Sequence, residues 1–268
     1  MNVLVAVNKG YLRHFYVMMT SLLENTKNRI CVYVMHDDLD KTDEETVRGY
    51  FPNVQFHFIC MDASIFDGFP TTKRYPYTIY YRIFAPVLLP QEIERVLYLD
   101  CDLIVHNCID EFYERDFQGN VFIACSHTGA LLRAVNRLRL GTRKNAVYMN
   151  TGVLLMHLPR LRAELDVDAL KRYTRKHKRR LILFDQDVLY KFFGERVLQA
   201  DTKIYNLSDR QIALHNSFHR HKITPAWVEE NNVVAHYIGR NKPWKQRYKG
   251  ILGKYYHYYK KRFERESR

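Results

Sequence analysis

The period of the apolar positions changes repeatedly along the chain. Residues 3–7 are a continuous apolar run, the pattern of a strand covered on both faces. Phe15, Met18, Met19, Leu22 and Leu23 then recur at helical spacing. Residues 31–35 predict a second strand, and Thr42 with Glu45 three positions on predicts a capping box for a helix ending near Tyr50. A third strand is expected over 54–60. Strand and helix thus alternate through the first 60 residues, which argues a parallel α/β sheet.

Beyond a turn-rich aromatic loop at 68–76, residues 77–87 read as a helix stopped near Pro86 and Pro90. An apolar run over 95–99 ends in Asp100-Cys101-Asp102. Strands follow at 121–125 and 148–156, separated by a basic helix over 131–140. A charged helix is expected over 161–175. A short strand at 181–184 feeds Asp185-Gln186-Asp187 and a helix through Phe193, and a last strand covers 233–236. There is no internal repeat, low-complexity tract or Gly/Ser/Pro linker, so the chain reads as one domain over 1–244 with an appendage over 245–268.

Composition narrows the class. No apolar stretch approaches the roughly 20 residues of a membrane span, and no basic leader precedes the first strand. Five cysteines, an odd number without a Cys-x-x-Cys, read as reduced thiols and predict a cytoplasmic protein. The net charge is +13, with nine Lys/Arg against two Glu in residues 245–268 alone. There Tyr248, Ile251, Leu252, Tyr255, Tyr256, Tyr259 and Phe263 form a helical stripe, opposite Lys249, Lys254, Lys260, Lys261 and Arg262. Such a helix suits either an anionic membrane, making the protein peripheral on the inner face of the plasma membrane, or packing against the body with solvated lysines.

The chemistry gathers at predicted strand ends. Asp100 and Asp102 at i and i+2 share a face of an extended chain and offer hard oxygens to Mg²⁺ or Mn²⁺, the plain reading being an acidic turn. His236, again at a strand end, is a candidate third ligand favouring Mn²⁺, or else a core histidine. Gly239 would let backbone amides approach a phosphate, and Lys242 would bring it a positive charge. Asp185 or Asp187 reads equally as a helix N-cap.

Asp100-Cys101-Asp102, Tyr148 to Met156 with Asn150-Thr151-Gly152, Phe184-Asp185-Gln186-Asp187 and His236-Tyr237-Ile238-Gly239-Arg240-Asn241-Lys242-Pro243-Trp244 occur in that order. In this the chain resembles glycosyltransferase family 8, over roughly residues 1–245. The resemblance implies a GT-A fold, with a mixed, mainly parallel sheet flanked by helices, and retaining transfer of galactose or glucose from a UDP-sugar to a glycan or glycolipid hydroxyl. It implies Mn²⁺ held by Asp100, Asp102 and His236, and donor contacts from Ala6, Val7, Asn8, Tyr11, Arg82, Cys101, Asn150, Thr151, Gly239 and Lys242. Gln186 and Asp185 would flank the anomeric carbon. Gln186 is a poor nucleophile, so either Asp185 attacks or no covalent intermediate forms; the second is favoured. Three positions depart from the family pattern. Asn8 stands where Asp is common, Gly10 where Asn or Ser often sits, and Ala124-Cys125-Ser126-His127 where an Asp near the donor sugar is usual.

Two other classes are weaker. A sugar-phosphate nucleotidyltransferase would need a Gly-rich phosphate loop after the first strand, which Asn8-Lys9-Gly10-Tyr11 is not. A nucleic-acid binder would show RNP, helix-turn-helix or zinc spacing, and none is present.

Overall fold

The computed structural model describes residues 1–72 and 76–267, so part of the 68–76 loop and the last residue of the appendage lie outside it. In chain order the strands are β1 (Asn2–Ala6), β2 (Cys31–His36), β3 (Gln55–Cys60), β4 (Arg95–Leu99), β5 (Leu103–Val105), β6 (Phe122–Ala124), β7 (Val153–His157), β8 (Val197–Gln199) and β9 (Val234–His236). The helices are α1 (Leu12–Glu24), α2 (Lys41–Tyr50), α3 (Tyr81–Leu88), α4 (Asp110–Glu114), α5 (Ala130–Leu140), α6 (Leu158–Glu164), α7 (Val167–His177), α8 (Phe184–Phe193), α9 (Thr202–Tyr205), α10 (Asp209–Phe218), α11 (Pro225–Asn231) and α12 (Gly253–Glu266).

Seven strands form one sheet in the order β3-β2-β1-β4-β7-β6-β8. The β3-β2-β1-β4 half is parallel, and β7 runs antiparallel to both β4 and β6. Alternate residues feed opposite cores. Leu4, Tyr98 and Leu154 face the side covered by Phe84, Leu161 and Leu189, while Val3, Leu97 and Val153 face the side covered by Phe15, Met19 and Val47. Burial on both faces is why these strands read as unbroken apolar runs.

A separate two-stranded sheet is the element that matters for the site. β5 pairs antiparallel with β9, with Leu103 opposite His236. The chain leaves the large sheet at Leu99, turns through residues 100–102, and enters the small one at Leu103. Strand ends from both sheets are thereby brought to one corner.

Several elements differ from expectation. The cap of α2 is Asp40 with Asp43, each side chain bonding the other's backbone amide, because the helix starts one residue before Thr42. The segment 77–87 divides into a short 3₁₀ turn (Tyr77–Tyr80) and α3, which continues to Leu88 through Pro86. The charged helix over 161–175 is two helices, because Asp166 caps a fresh start by accepting from the Ala169 amide at 2.8 Å. Residues 148–152 are irregular and only Val153–His157 is strand. No strand forms at 181–184; Phe184 begins α8 directly.

The C-terminal stripe is committed to the protein. Tyr255, Tyr256 and Tyr259 are buried with Leu252 in a third core beneath β5 and β9. Asn25 on α1's end donates to the Tyr259 hydroxyl at 2.8 Å, and the ring of Phe263 stacks on Tyr16. Of the two alternatives the sequence left open, the aromatic stripe takes packing against the body.

Candidate active site

The corner between the two sheets holds a group suited to a cation. Ligand atoms of Asp100, Asp102 and His236 all lie within 4.8 Å of one another. Nε2 of His236 is 3.2 Å from Asp102 Oδ1 and 3.7 Å from Asp100 Oδ2. Cys101 points the other way, its thiol toward the Ala6 carbonyl at 3.6 Å, and burial raises its pKa well above the ordinary thiol value. It ties the end of β1 to the corner and is a poor ligand.

A chain of hydrogen bonds fixes the imidazole. The Gly152 amide donates to Asn150 Oδ1 at 3.1 Å, so this oxygen is an acceptor. Asn206 Nδ2 donates to the same oxygen at 2.9 Å, which turns Asn206 Oδ1 toward His236 Nδ1 at 2.8 Å. Asn206 is fully buried, and its carbonyl oxygen requires a proton on Nδ1. In the neutral ring Nε2 is therefore left as a lone pair, facing carboxylate oxygens that are also acceptors. Three acceptor groups turned toward one point need a proton or a cation between them. Oxygen and imidazole donors of this kind suit Mn²⁺ or Mg²⁺, and the Asn–His arrangement is the outer support metal-ligating histidines need.

Gly152 permits the convergence. A Cβ there would lie 2.2 Å from His236 Cε1 and 2.6 Å from Asp100 Oδ2. The glycine of the Asn150-Thr151-Gly152 motif is thus required by close approach.

Arg82 joins this corner to the start of α8. It is buried, lies 4.3 Å over the ring of Tyr98, pairs with Asp100 Oδ1 at 3.0 Å, and donates to the Thr151 carbonyl at 2.5 Å. Its Nε stands 3.6 Å from Asp185 Oδ2, which also accepts from the Thr151 hydroxyl at 2.7 Å. Burial raises the pKa of Asp185, against the pull of Arg82 and Thr151. Asp187 points elsewhere. It is fully buried between Arg139 (two contacts of 2.7 Å), the Tyr148 hydroxyl at 2.6 Å and the amides of Ile182 and Leu183. It therefore binds amides that precede α8, not those of the helix it begins. Gln186, between them, is half-buried, and its side chain makes no hydrogen bond to another described residue.

Asp102 is also paired to Lys242, which donates to the Tyr237 carbonyl at 2.6 Å. Burial opposes ionisation of Asp102, but Lys242 and, when its ring is protonated, His236 outweigh it and hold the carboxyl well below its usual range. Gly239 has φ +94°, a left-handed conformation that favours glycine, in the turn between His236 and Lys242. At the end of β1, Val7 is buried and the Asn8 side chain accepts from the Tyr11 amide at 3.1 Å. Tyr11 is partly exposed and meets Trp244 edge-on at 6.2 Å. Asp100, Asp102, His236, Lys242, Asn150, Arg82, Thr151 and Asp185 are thus linked through one contact network, whereas Cys101 and Asp187 point away from it. The sequence reading missed Asn206 and the close-approach role of Gly152; both act through contacts between distant segments.

The sequence profile described as "Glycosyl transferase family 8" matches residues 2–247. A lipopolysaccharide 1,3-galactosyltransferase of Salmonella typhimurium is 27% identical over 256 residues, covering 91% of this chain and 72% of the relative. General stress protein A of Bacillus subtilis is 25% identical over 277 residues, covering 96% and 92%. A crystal structure of the galactosyltransferase LgtC with donor and acceptor sugar analogues superposes with a TM-score of 0.82 at 21% identity, covering 98% of this chain and 96% of that one, and shares its fold. With the family profile running from the first strand to beyond the His236 motif, the chain belongs to glycosyltransferase family 8 and is a sugar-transferring enzyme with the GT-A fold.

Proposed function

We propose that this enzyme is a retaining hexosyltransferase using a UDP-sugar and Mn²⁺, and that it moves galactose or glucose to a hydroxyl of a cell-surface glycan or glycolipid from the cytoplasmic side. The observation that carries the reading is the corner at Asp100, Asp102 and His236, with its imidazole lone pair fixed by Asn206. The names of the relatives, which include an Escherichia coli lipopolysaccharide glucosyltransferase 24% identical over 265 residues, support the sugar and acceptor class.

A divalent cation held by these three side chains would act as a Lewis acid on the departing diphosphate. The chain's own groups do the rest. Lys242 would exchange Asp102 for a phosphate oxygen, with the Gly239 turn presenting backbone amides beside it. Arg82 and Thr151 hold Asp185 in place, so Asp185 serves to shape the donor pocket. Ala6, Val7, Asn8 and Tyr11 would frame the uracil, and Asn150 would lie near the donor sugar.

The bond between the anomeric carbon and the phosphate oxygen breaks with its electron pair leaving on UDP, through an oxocarbenium-like state. Gln186 turns its amide carbonyl oxygen toward the developing positive charge. The acceptor oxygen bonds the anomeric carbon on the face the phosphate leaves, and its proton passes to that phosphate.

A UDP-release assay over a panel of UDP-sugars, with Mn²⁺, Mg²⁺ and EDTA arms, tests this reading. We expect release with UDP-galactose or UDP-glucose that EDTA abolishes and Mn²⁺ restores best. Metal-independent release, or pyrophosphate release from a nucleoside triphosphate instead, would overturn it.

A further inference from the structure

Two stretches outside the C-terminal helix concentrate positive charge with few acidic partners. Residues 129–144 carry five Lys/Arg and residues 171–180 carry seven, with no Asp or Glu in either stretch. Among the described residues, only Arg139 and Arg143 of these twelve have an acidic partner. On α12, by contrast, Lys254, Lys260 and Arg262 are each paired with a glutamate. The two basic stretches adjoin. Arg139 donates to the Arg180 carbonyl at 2.5 Å, and the buried Asp187 that it clamps also accepts from the Ile182 amide at 2.6 Å.

Between these cations lies an apolar stripe turned outward. Leu131, Val135 and Leu138 stand at i, i+4 and i+7 of α5, with Leu132 beside them. Leu131 is 79% exposed and Leu138 80%, while Leu140 is the helix's buried residue. Ile182, 62% exposed, lies next to the basic stretch. A surface helix normally turns its apolar face inward, so large side chains exposed together mark a contact surface. Leucines alone would suit any apolar partner. Flanked in the chain by ten Lys/Arg that have no acidic partner among the described residues, they suit an interfacial element, apolar groups entering the headgroup–acyl boundary while cations meet anionic headgroups. A nucleic acid would match the charge but leave the leucines in water.

We propose that α5, with the adjoining 175–182 segment, docks this protein on an anionic lipid bilayer. The docking face borders the metal corner. α5 begins three residues after His127, whose Nε2 bonds the Asn206 carbonyl at 2.9 Å, and Asn206 orients His236. α10 begins three residues after Asn206 and exposes Leu214 and Phe218. The inference stands on charge and exposure and does not depend on the donor sugar.

Vesicle flotation of the full chain, with no sugar nucleotide present, tests it. Phosphatidylglycerol/phosphatidylcholine vesicles should carry the protein up at low salt and release it at high salt, and pure phosphatidylcholine should not carry it. The exposed double variant L131Q/L138Q and the charge variant K176E/R179E should each lower the bound fraction about tenfold. K260E/K261E on α12 should change it less than about twofold. Thermal melts of all three should match the wild type. Wild-type protein left unbound by anionic vesicles, equal binding to neutral ones, or L131Q/L138Q floating like wild type would overturn the proposal. So would loss of binding in the α12 variant alone. Flotation that survives in a preparation releasing no UDP would uphold the docking while counting against the transfer reading.

Discussion

Asp100 and Asp102 have the same spacing as Asp185 and Asp187, yet the first pair converges and the second diverges. Asp100 and Asp102 leave a strand end in extended chain, where i and i+2 share a face, and their carboxylates meet His236. Asp185 and Asp187 open α8, where two positions turn about 200° around the axis. One faces Arg82 and Thr151, and the other Arg139 and Tyr148. The side chain of Gln186, between them, has no hydrogen-bond partner among the described residues. An Asp-x-Asp motif acquires its chemistry from the element that carries it.

The comparison breaks most clearly at Asp100. Asp100→Asn keeps the shape of the strand end and removes one anionic ligand, so Mn²⁺-dependent UDP release should fall at least about a thousandfold, several kcal/mol of barrier, with a near-normal melt. Asp187→Ala should do the reverse. It strands Arg139, the Tyr148 hydroxyl and two amides, costing about 3–5 kcal/mol in urea unfolding because a buried ion pair loses one member. If instead Asp187→Ala were as stable as wild type, the divergent roles assigned here would fail. Gln186→Ala should lower kcat about a hundredfold with UDP affinity nearly unchanged; turnover at the wild-type rate would remove Gln186 from the mechanism.

Smaller effects sharpen the picture of the corner. Asn206→Ala should weaken Mn²⁺ binding by about 10–100-fold, read by titration calorimetry, by freeing the imidazole to turn. A double variant with His236→Ala should then show no further loss from Asn206→Ala. The smallest effect is with pH. Burial lowers the pKa of His127 to about 4, below its ordinary 6.5. Its contribution to stability is therefore fully present above pH 6.5 and is lost as pH falls through 4. Melting temperatures measured across that window should decline less steeply in His127→Gln than in wild type.

Much of this was legible in the chain. The parallel half of the sheet announced itself in continuous apolar runs at 3–7 and 31–35, and two of the three candidate ligands stood at the end of such a run. The failures have local causes. Residues 181–184 contain too few positions for periodicity to separate a strand from the approach to a helix. The break between α6 and α7 was signalled by Asp166 as a cap, but the charged residues on both sides masked it. The capping pair of α2 was misread by two residues because several Asp, Thr and Glu side chains crowd the helix start. Asn206 carried no signal at all, since its importance lies in bonds to Asn150 and His236, 56 and 30 residues away. The C-terminal stripe was visible as a stripe, but periodicity cannot say whether protein or lipid covers it.

The turn at residues 100–102 has a mechanical consequence. Asp100 closes a strand of the seven-stranded sheet, whereas Asp102 opens the hairpin-like pair to which His236 belongs. An ion gripped by all three side chains would consequently fasten the edge of one sheet to the other, like a rivet through overlapping plates. Its removal would leave three acceptor groups crowded at that joint, held together there by the shared core and by Lys242 and Arg82.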